Sequence, residues 1–338
     1  MARSVQEDVL LSHNVEFAQN VWKIGLRPDK RAALQAREIS VEFPLLSRDT
    51  VQVRCGETSV IAKTACELVE PNPYRPKHGF FNFQSRQLFQ ERDNPQKVKE
   101  LKKLNSFLER LFRDNVVETE GLCVLPGRRV WSLQVSVIVV NDEGNVKDVA
   151  QWAVLNVLRH FRRPQITLRG DEITVHPPHE REPTPLALHH LPVCTSLAVT
   201  LSPKEVELEA RVATLQNRPN QNENALWLIV DPTATESRAA ASLITVAVNA
   251  EGMVCALERT EGCDVSWDLI QKCIEAATNM SKYVLQIGED AARAHEEKIK
   301  AAIKSQFAWA KERLGVGKSN DDAAEPPLKK QKTDEPTH

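Results

Sequence analysis

Between residues 95 and 114 cationic side chains crowd one short segment: Lys97, Lys99, Lys102, Lys103, Arg110 and Arg113. Leu101, Leu104, Leu108 and Leu111 lie among them at helical spacing, which predicts an amphipathic helix with a basic face. Two readings of that face stay open. It is a solvated surface on which Arg110 and Arg113 pair with Glu109 and Asp114, or a track of positive charge for the phosphates of a single-stranded nucleic acid. A second cationic pair, Arg75 and Lys77, lies in Pro71-Asn-Pro-Tyr-Arg-Pro-Lys-His-Gly79, where three prolines exclude regular structure. An exposed loop is predicted there, either plain turn chemistry or a nucleic-acid contact. His176, His179, His189 and His190 alternate with prolines, fit no zinc spacing and have no cysteine pair beside them, so a structural role is expected and no metal. Arg162-Arg163 directly follows an apolar segment, where it either meets a nucleic acid or caps the last carbonyls of a helix.

The bulk composition limits these readings. Across 338 residues, 44 basic side chains face 46 acidic ones, so any nucleic-acid contact must come from a local cluster. The seven cysteines are scattered without a CxxC pair and mostly inside apolar stretches, as expected of reduced core residues in a cytosolic or nuclear protein. The opening Met-Ala-Arg-Ser-Val-Gln-Glu-Asp lacks the apolar centre of a secretion signal, and no apolar run reaches the length of a membrane span. Neither secretion nor membrane insertion is expected.

The elements that would position these groups follow from periodicity. Residues 5–22 read as an amphipathic helix with Val9, Leu10, Val15, Phe17 and Val21 on its apolar side. Alternation predicts strands at Ile39–Phe43, Val51–Cys55 and Val60–Thr64, and the clearest one at Trp131–Val139, ended by Asp142-Glu-Gly-Asn145. Residues 148–160 are apolar almost all round, the pattern of a buried helix. Ile166/Leu168 and Ile173/Val175 around Gly170-Asp171 predict a hairpin. Further strands are predicted at Ser196–Leu201, Leu226–Val230, Leu243–Val248 and Met253–Leu257, the last two joined by a hairpin turn at Asn249–Gly252. A helix at 266–295 follows, with Trp267, Ile270, Ile274, Ala277 and Val284 near one face, and then another at 296–314 with Ile299, Ile303, Phe307 and Leu314 on one side. Strands and a buried helix, then the same order again, give two βα lobes in one α+β architecture. The expected organisation is an N-terminal helical arm at 1–24, a first lobe at 25–190, a second at 191–295 with a polar insertion at 202–224, a C-terminal helix at 296–314 and a disordered tail at 315–338.

One continuous block, His160-Phe-Arg-Arg-Pro164, Gly170-Asp-Glu-Ile-Thr-Val175, Glu180-Arg-Glu-Pro-Thr-Pro-Leu186 and His189-His190, resembles the RNase PH-like ring subunits of the eukaryotic RNA exosome. Cys66-Glu-Leu-Val69, Glu118-Thr-Glu-Gly-Leu-Cys-Val124 and Asp231-Pro-Thr233 agree with it, and the resemblance covers roughly residues 25–290. Arg27-Pro-Asp-Lys-Arg31 is similar to the family's Arg-Pro-Asp-Gly-Arg opening, with Lys30 in place of the glycine. The resemblance implies the RNase PH-like fold, of the kind shared with domain 2 of ribosomal protein S5. Active members cleave RNA from its 3′ end with inorganic phosphate and release nucleoside diphosphates. Six such subunits form a ring around a channel for single-stranded RNA, and in the eukaryotic complex separately recruited nucleases do the cutting.

Phosphorolysis needs two anions held together, which calls for arginine forks. By the resemblance, Ser106 stands where active members have an arginine on the helix, and Val146 where they have one in the turn after the long strand. Asp231 matches an acidic position and Glu236 stands near a second; Lys147 is the one cation beside the gap. The expectation is a degenerate site at Ser106, Val146, Asp231 and Glu236, no enzyme activity and no cofactor. The alternative is an active phosphate-dependent 3′ exoribonuclease. The chain is expected to scaffold the exosome ring for rRNA maturation and RNA turnover. Its partners would be other RNase PH-like subunits, cap subunits and recruited nucleases, with single-stranded RNA touched by Arg75, Lys77, Lys103, Arg110 and Arg113. Pro326-Pro-Leu-Lys-Lys-Gln-Lys332 resembles a basic nuclear import signal, so nucleus and nucleolus are expected besides cytoplasm.

Overall fold

In the computed structural model the structure describes residues 2–314 except 45, 89–94, 171, 178–179, 202–225 and 261. The expected polar insertion at 202–224 and tail at 315–338 therefore lie outside the described residues. Up to Arg293 the described chain forms one compact unit, and the described residues from Ala294 to Leu314 belong to a second.

The first sheet is built from β1 (Ile39–Glu42), β2 (Thr50–Cys55), β3 (Thr58–Val69), β4 (Phe80–Gln87), β5 (Cys123–Leu125) and β6 (Arg129–Asn141). Its order is β1-β2-β3-β6-β4, with β5 also paired to β6. Only β4 runs parallel to its neighbour, pairing Phe81 with Leu133 and Phe83 with Val135. Sequence reading missed β4, because consecutive Phe80-Phe81 and the polar Asn82, Gln84 and Ser85 blur its alternation. Helix α2 (Pro95–Asn115) covers β4, burying Leu104, Phe107, Leu108, Leu111 and Phe112. Phe83 stands edge-on to Phe81 and tilted against Phe112, with centroids 4.8 and 5.8 Å away.

Helix α3 (Val146–His160) explains its own composition. It packs against β2, β3 and β6 on one side and against β11 (Val193–Leu201) on the other, so no stripe is left for solvent. The second sheet has the order β12-β11-β13-β14, with β12 at Leu226–Val230, β13 at Ser242–Val248 and β14 at Val254–Arg259. Apolar residues of both sheets, among them Val53, Val137, Val193 and Ala247, join α3 in one core, so the two lobes are not separate bodies. Between the sheets come β7 (Arg162–Arg163) paired with β10 (Thr184–Pro185), and the hairpin β8 (Ile166–Arg169) and β9 (Glu172–Val175).

Two helical expectations change. In α1 (Ala2–Trp22) the inward side is Ala18 and Trp22, which meet Ala198, Ile229 and Ala239 of the second lobe, whereas Phe17 is exposed. The C-terminal segments expected as two helices form one, α5 (Trp267–Leu314), because residues 289–300 are strong helix formers with no proline or glycine to break them. Within it Leu269, Cys273, Ala277, Met280 and Val284 are buried, while Trp267, expected near the apolar face, is exposed. Ile303 is exposed as well, and the side chains of Phe307 and Leu314 lie outside the described residues. Gly288 lets α5 approach α3 closely, since a Cβ there would stand 2.1 Å from Asn156 Oδ1.

Candidate functional site

A cavity of about 1070 Å3 opens between α2, the start of α3 and the outer edge of the second sheet. It brings together Ser106 and Val146, the two positions expected to lack arginine, 40 residues apart in sequence. Lys103, Arg110 and Lys147 line it too, with Leu104 and Phe107 giving an apolar wall. The lysine next to Val146 is already engaged. Lys147 Nζ pairs with Glu258 of β14, lies 4.0 Å above the Phe107 ring and donates to Thr245 Oγ1 at 3.5 Å. Ser106 and Val146 offer neither charge nor a bidentate donor.

Asp231 and Glu236 do not line this cavity. They sit in a buried knot that ties residues 27–37 to the second lobe. Thr233 caps the short helix α4 (Ala234–Ala239), its hydroxyl accepting from Glu236 N while Glu236 Oε2 accepts from Thr233 N at 2.9 Å. The same carboxylate takes both arms of Arg27, Nε to Oε1 at 2.9 Å and Nη2 to Oε2 at 2.7 Å. Arg27 spends its remaining donors on the carbonyls of Ala32, Gln35, Val230 and Asp231. Every nitrogen of the Arg27 guanidinium and both oxygens of the Glu236 carboxylate in this fully buried pair have partners, the condition for a buried ion pair to persist. The Thr-x-x-Glu spacing was a readable capping-box signal that the acidic-cluster reading passed over.

Asp231 is equally committed. Its Oδ1 accepts from Arg37 Nη2 and Asn145 Nδ2, both at 2.8 Å. Oδ2 accepts from Arg37 N and Nε at 2.9 Å and from Arg31 Nη1 at 3.2 Å. Burial alone would raise the Asp231 carboxyl, but the Arg37 guanidinium, with Asn145 and the Arg37 amide, brings it down to about 2. A carboxylate so surrounded has no free position for a metal and no tendency to take a proton at neutral pH. Nearby, Asp148 forms no ion pair among the described residues. Burial lifts it to about 6 even though Ser196 donates N–H and O–H to it at 2.5 and 2.9 Å.

Backbone geometry supports the knot. Asp231 and Asn145 have φ of 50° and 58°, and Lys30 has φ 65°. Lys30 thus adopts the left-handed conformation for which the family's glycine is suited, at a cost of about 1 kcal/mol. Gly144, at φ 100°, could not be replaced, because a Cβ would meet Ala234 N at 2.2 Å.

The RNA candidates fall in two places. Lys103 and Arg110 line the large cavity, whereas Arg75 and Arg113 line a smaller one of about 260 Å3 with Asn72, His78, Asn82 and Thr119. Lys77 is exposed and lines neither. Arg113 pairs with Glu109 one turn back, and the side chain of Asp114 lies outside the described residues. His78, which joins Thr119 Oγ1 at 3.0 Å, was not foreseen. The loop itself is held by an Asx turn, Tyr74 N donating to Asn72 Oδ1, which leaves Tyr74 outward.

Arg162, His176 and His189 have structural partners, while His179 lies outside the described residues. Arg162 Nη1 donates to the carbonyls of Arg159, His160 and Phe161, the capping of α3. His176 meets Thr167 Oγ1 at 2.7 Å, and His189 meets Glu118 at 3.1 Å. Among the described residues no three His, Cys, Asp or Glu side chains are grouped to hold a metal ion, and no helix is long and apolar enough to cross a membrane. All seven cysteines are free thiols.

Comparison with known proteins agrees with this architecture. The Archaeoglobus fulgidus exosome with RNA bound to the active site contains a chain of the same fold. Its TM-score is 0.63 at 17% identity, over 82% of this chain and 98% of that one. Exosome complex component RRP45 of Homo sapiens is 31% identical over 74% of this chain and 53% of its own length, so the chain spans about half of that relative. RRP45A of Arabidopsis thaliana is 29% identical over 88% of this chain and 92% of that protein. The 3′ exoribonuclease family model for domain 1 matches residues 35–164 and that for domain 2 residues 220–280, together more than half of the sequence. With the fold and these matches in agreement, the chain belongs to the RNase PH-like 3′ exoribonuclease family.

Proposed function

We propose that the chain is a non-catalytic subunit of the RNA exosome core ring, one that scaffolds 3′-to-5′ RNA processing and touches single-stranded RNA without cleaving it. The observation that carries the reading is the state of the degenerate site. Ser106 and Val146 share a cavity and neither position carries a guanidinium, while Lys147 beside Val146 is neutralised by Glu258. The acids Asp231 and Glu236 are consumed by Arg27, Arg31 and Arg37. Stabilising a transferring phosphoryl group requires free, preorganised positive charge at the reacting atoms, and Ser106, Val146 and the paired Lys147 supply none. The printed name of the relatives, exosome complex component, supports a ring with other RNase PH-like and cap subunits as partners. Recruited nucleases would then perform the cleavage. The basic run at Pro326–Lys332 supports entry into the nucleus and nucleolus beside a cytoplasmic pool.

The test is direct. The full chain, and the complex purified through it, are incubated with single-stranded RNA and inorganic phosphate. The chain alone is expected to leave the RNA intact and the complex to contain RNase PH-like and cap subunits. Nucleoside diphosphates released by the chain alone in proportion to phosphate would refute the non-catalytic reading, and co-purification without such subunits would refute the ring assignment.

A further inference from the structure

At the base of the large cavity three elements converge on a single ammonium group. Lys147 comes from the first turn of α3, and Phe107 from α2 lies beneath its Nζ. Thr245 of β13 and Glu258 of β14 are direct cross-strand partners, so their side chains leave the sheet on the same face. The Thr245 hydroxyl lies 3.5 Å from Nζ, and a Glu258 carboxylate oxygen closes the contact. Lysine, hydroxyl and a nearby arginine are the groups that hold a small tetrahedral anion; here Lys147, Thr245, Arg110 and Ser106 all line the cavity. The negative partner at Lys147 is supplied by the chain itself.

We propose that this cavity is a phosphate-class anion site occupied from within, the Glu258 carboxylate holding the place an inorganic phosphate would take at Lys147. The proposal rests on the non-catalytic reading, because it states what fills the site once the arginines are gone. Charge decides the outcome. With Glu258 present the charge of Lys147 is balanced by the chain itself, and the other cations lining the cavity are Lys97, Lys99, Lys102, Lys103, Arg110 and Arg259. An incoming anion would have to displace a carboxylate tethered at high effective concentration. Without that carboxylate, Lys147 and Thr245 face the cavity with no competing negative charge from β14. The pair is partly open to solvent, with side-chain exposures of 29% and 44%, so the exchange needs no rearrangement of the fold.

The experiment is phosphate binding by the full chain, without RNA, followed by 31P NMR line broadening and calorimetry at constant ionic strength. Glu258→Gln keeps the shape of the side chain and removes its charge. The E258Q chain is expected to bind inorganic phosphate at least tenfold more tightly than the wild type. Adding Lys147→Met should return the affinity to the wild-type value. Unchanged affinity in an E258Q chain that melts like the wild type would overturn the proposal, as would a gain that survives Lys147→Met. Neither failure touches the non-catalytic reading, which is judged by nucleoside diphosphate release and not by phosphate affinity.

Discussion

Asp148 makes the stability of this fold depend on pH in an unusual direction. Its carboxyl is fully buried at the start of α3, holds Ser196 by two hydrogen bonds and forms no ion pair among the described residues, so burial raises it from 3.8 to about 6. A folded-state value above the unfolded one means that the folded chain binds the proton more tightly. The resulting stability is complete below pH 3.8 and is lost as pH rises through about 6. At 1.36 kcal/mol per pH unit the whole effect is about 3 kcal/mol, of which about 2 kcal/mol returns between pH 7 and pH 4.5. Asp231 acts in the opposite sense, but its contribution is lost only as pH falls from 3.8 through about 2, outside that window. Asp148→Asn imitates the protonated acid, its carbonyl still accepting from Ser196 N and its amide donating to Ser196 Oγ. The assay is urea unfolding followed by tryptophan fluorescence at several pH values, for wild type and D148N. The wild type should gain about 2 kcal/mol relative to the variant as pH falls from 7 to 4.5. A difference between the two that stays constant across that range would refute the reasoning.

Two further outcomes follow from the same geometry. Arg27→Met leaves the fully buried Glu236 carboxylate without its bidentate partner, and urea unfolding should show a loss of about 3–5 kcal/mol that Arg27→Met with Glu236→Leu partly restores; a loss below about 1 kcal/mol would contradict the buried-pair account. If Arg75 and Arg113 hold RNA phosphates at their shared cavity, Arg75→Gln with Arg113→Gln should lower the slope of log affinity for single-stranded RNA against log salt by about 1.4, measured by fluorescence anisotropy. An unchanged slope would remove both residues from the RNA path.

Much of the fold could be read from the sequence because burial imposes period on it. β6 alternates cleanly since one face meets the core, and α3 is apolar all round since sheets cover both of its sides. Where periodicity was weak, β4 escaped notice, and an unbroken α5 was divided in two because the apolar pattern shifts where no helix breaker stands. The site was half legible. Chain position and resemblance joined Ser106 to Val146, and the cavity does gather them. Spacing alone could not reveal that Asp231 and Glu236 face three arginines from the N-terminal segment, nor that Lys147 meets Glu258, since those partners lie 111 to 209 residues away. Long-range charge pairing leaves no local pattern in sequence.

The knot also has a direction in time. Arg27, Arg31 and Arg37 leave the ribosome early, but the carboxylates they grip follow about two hundred residues later. Until Asp231 and Glu236 have been synthesised, the three guanidiniums lack their second-lobe carboxylates, with only Asp29 as a local acid for Arg27 and Arg31, and α1 lacks its second-lobe seat on Ala198, Ile229 and Ala239. The beginning of the polypeptide is thus among the last parts to lock. A nascent chain stopped short of Asp231 therefore lacks both carboxylates that fasten residues 27–37 to the second lobe.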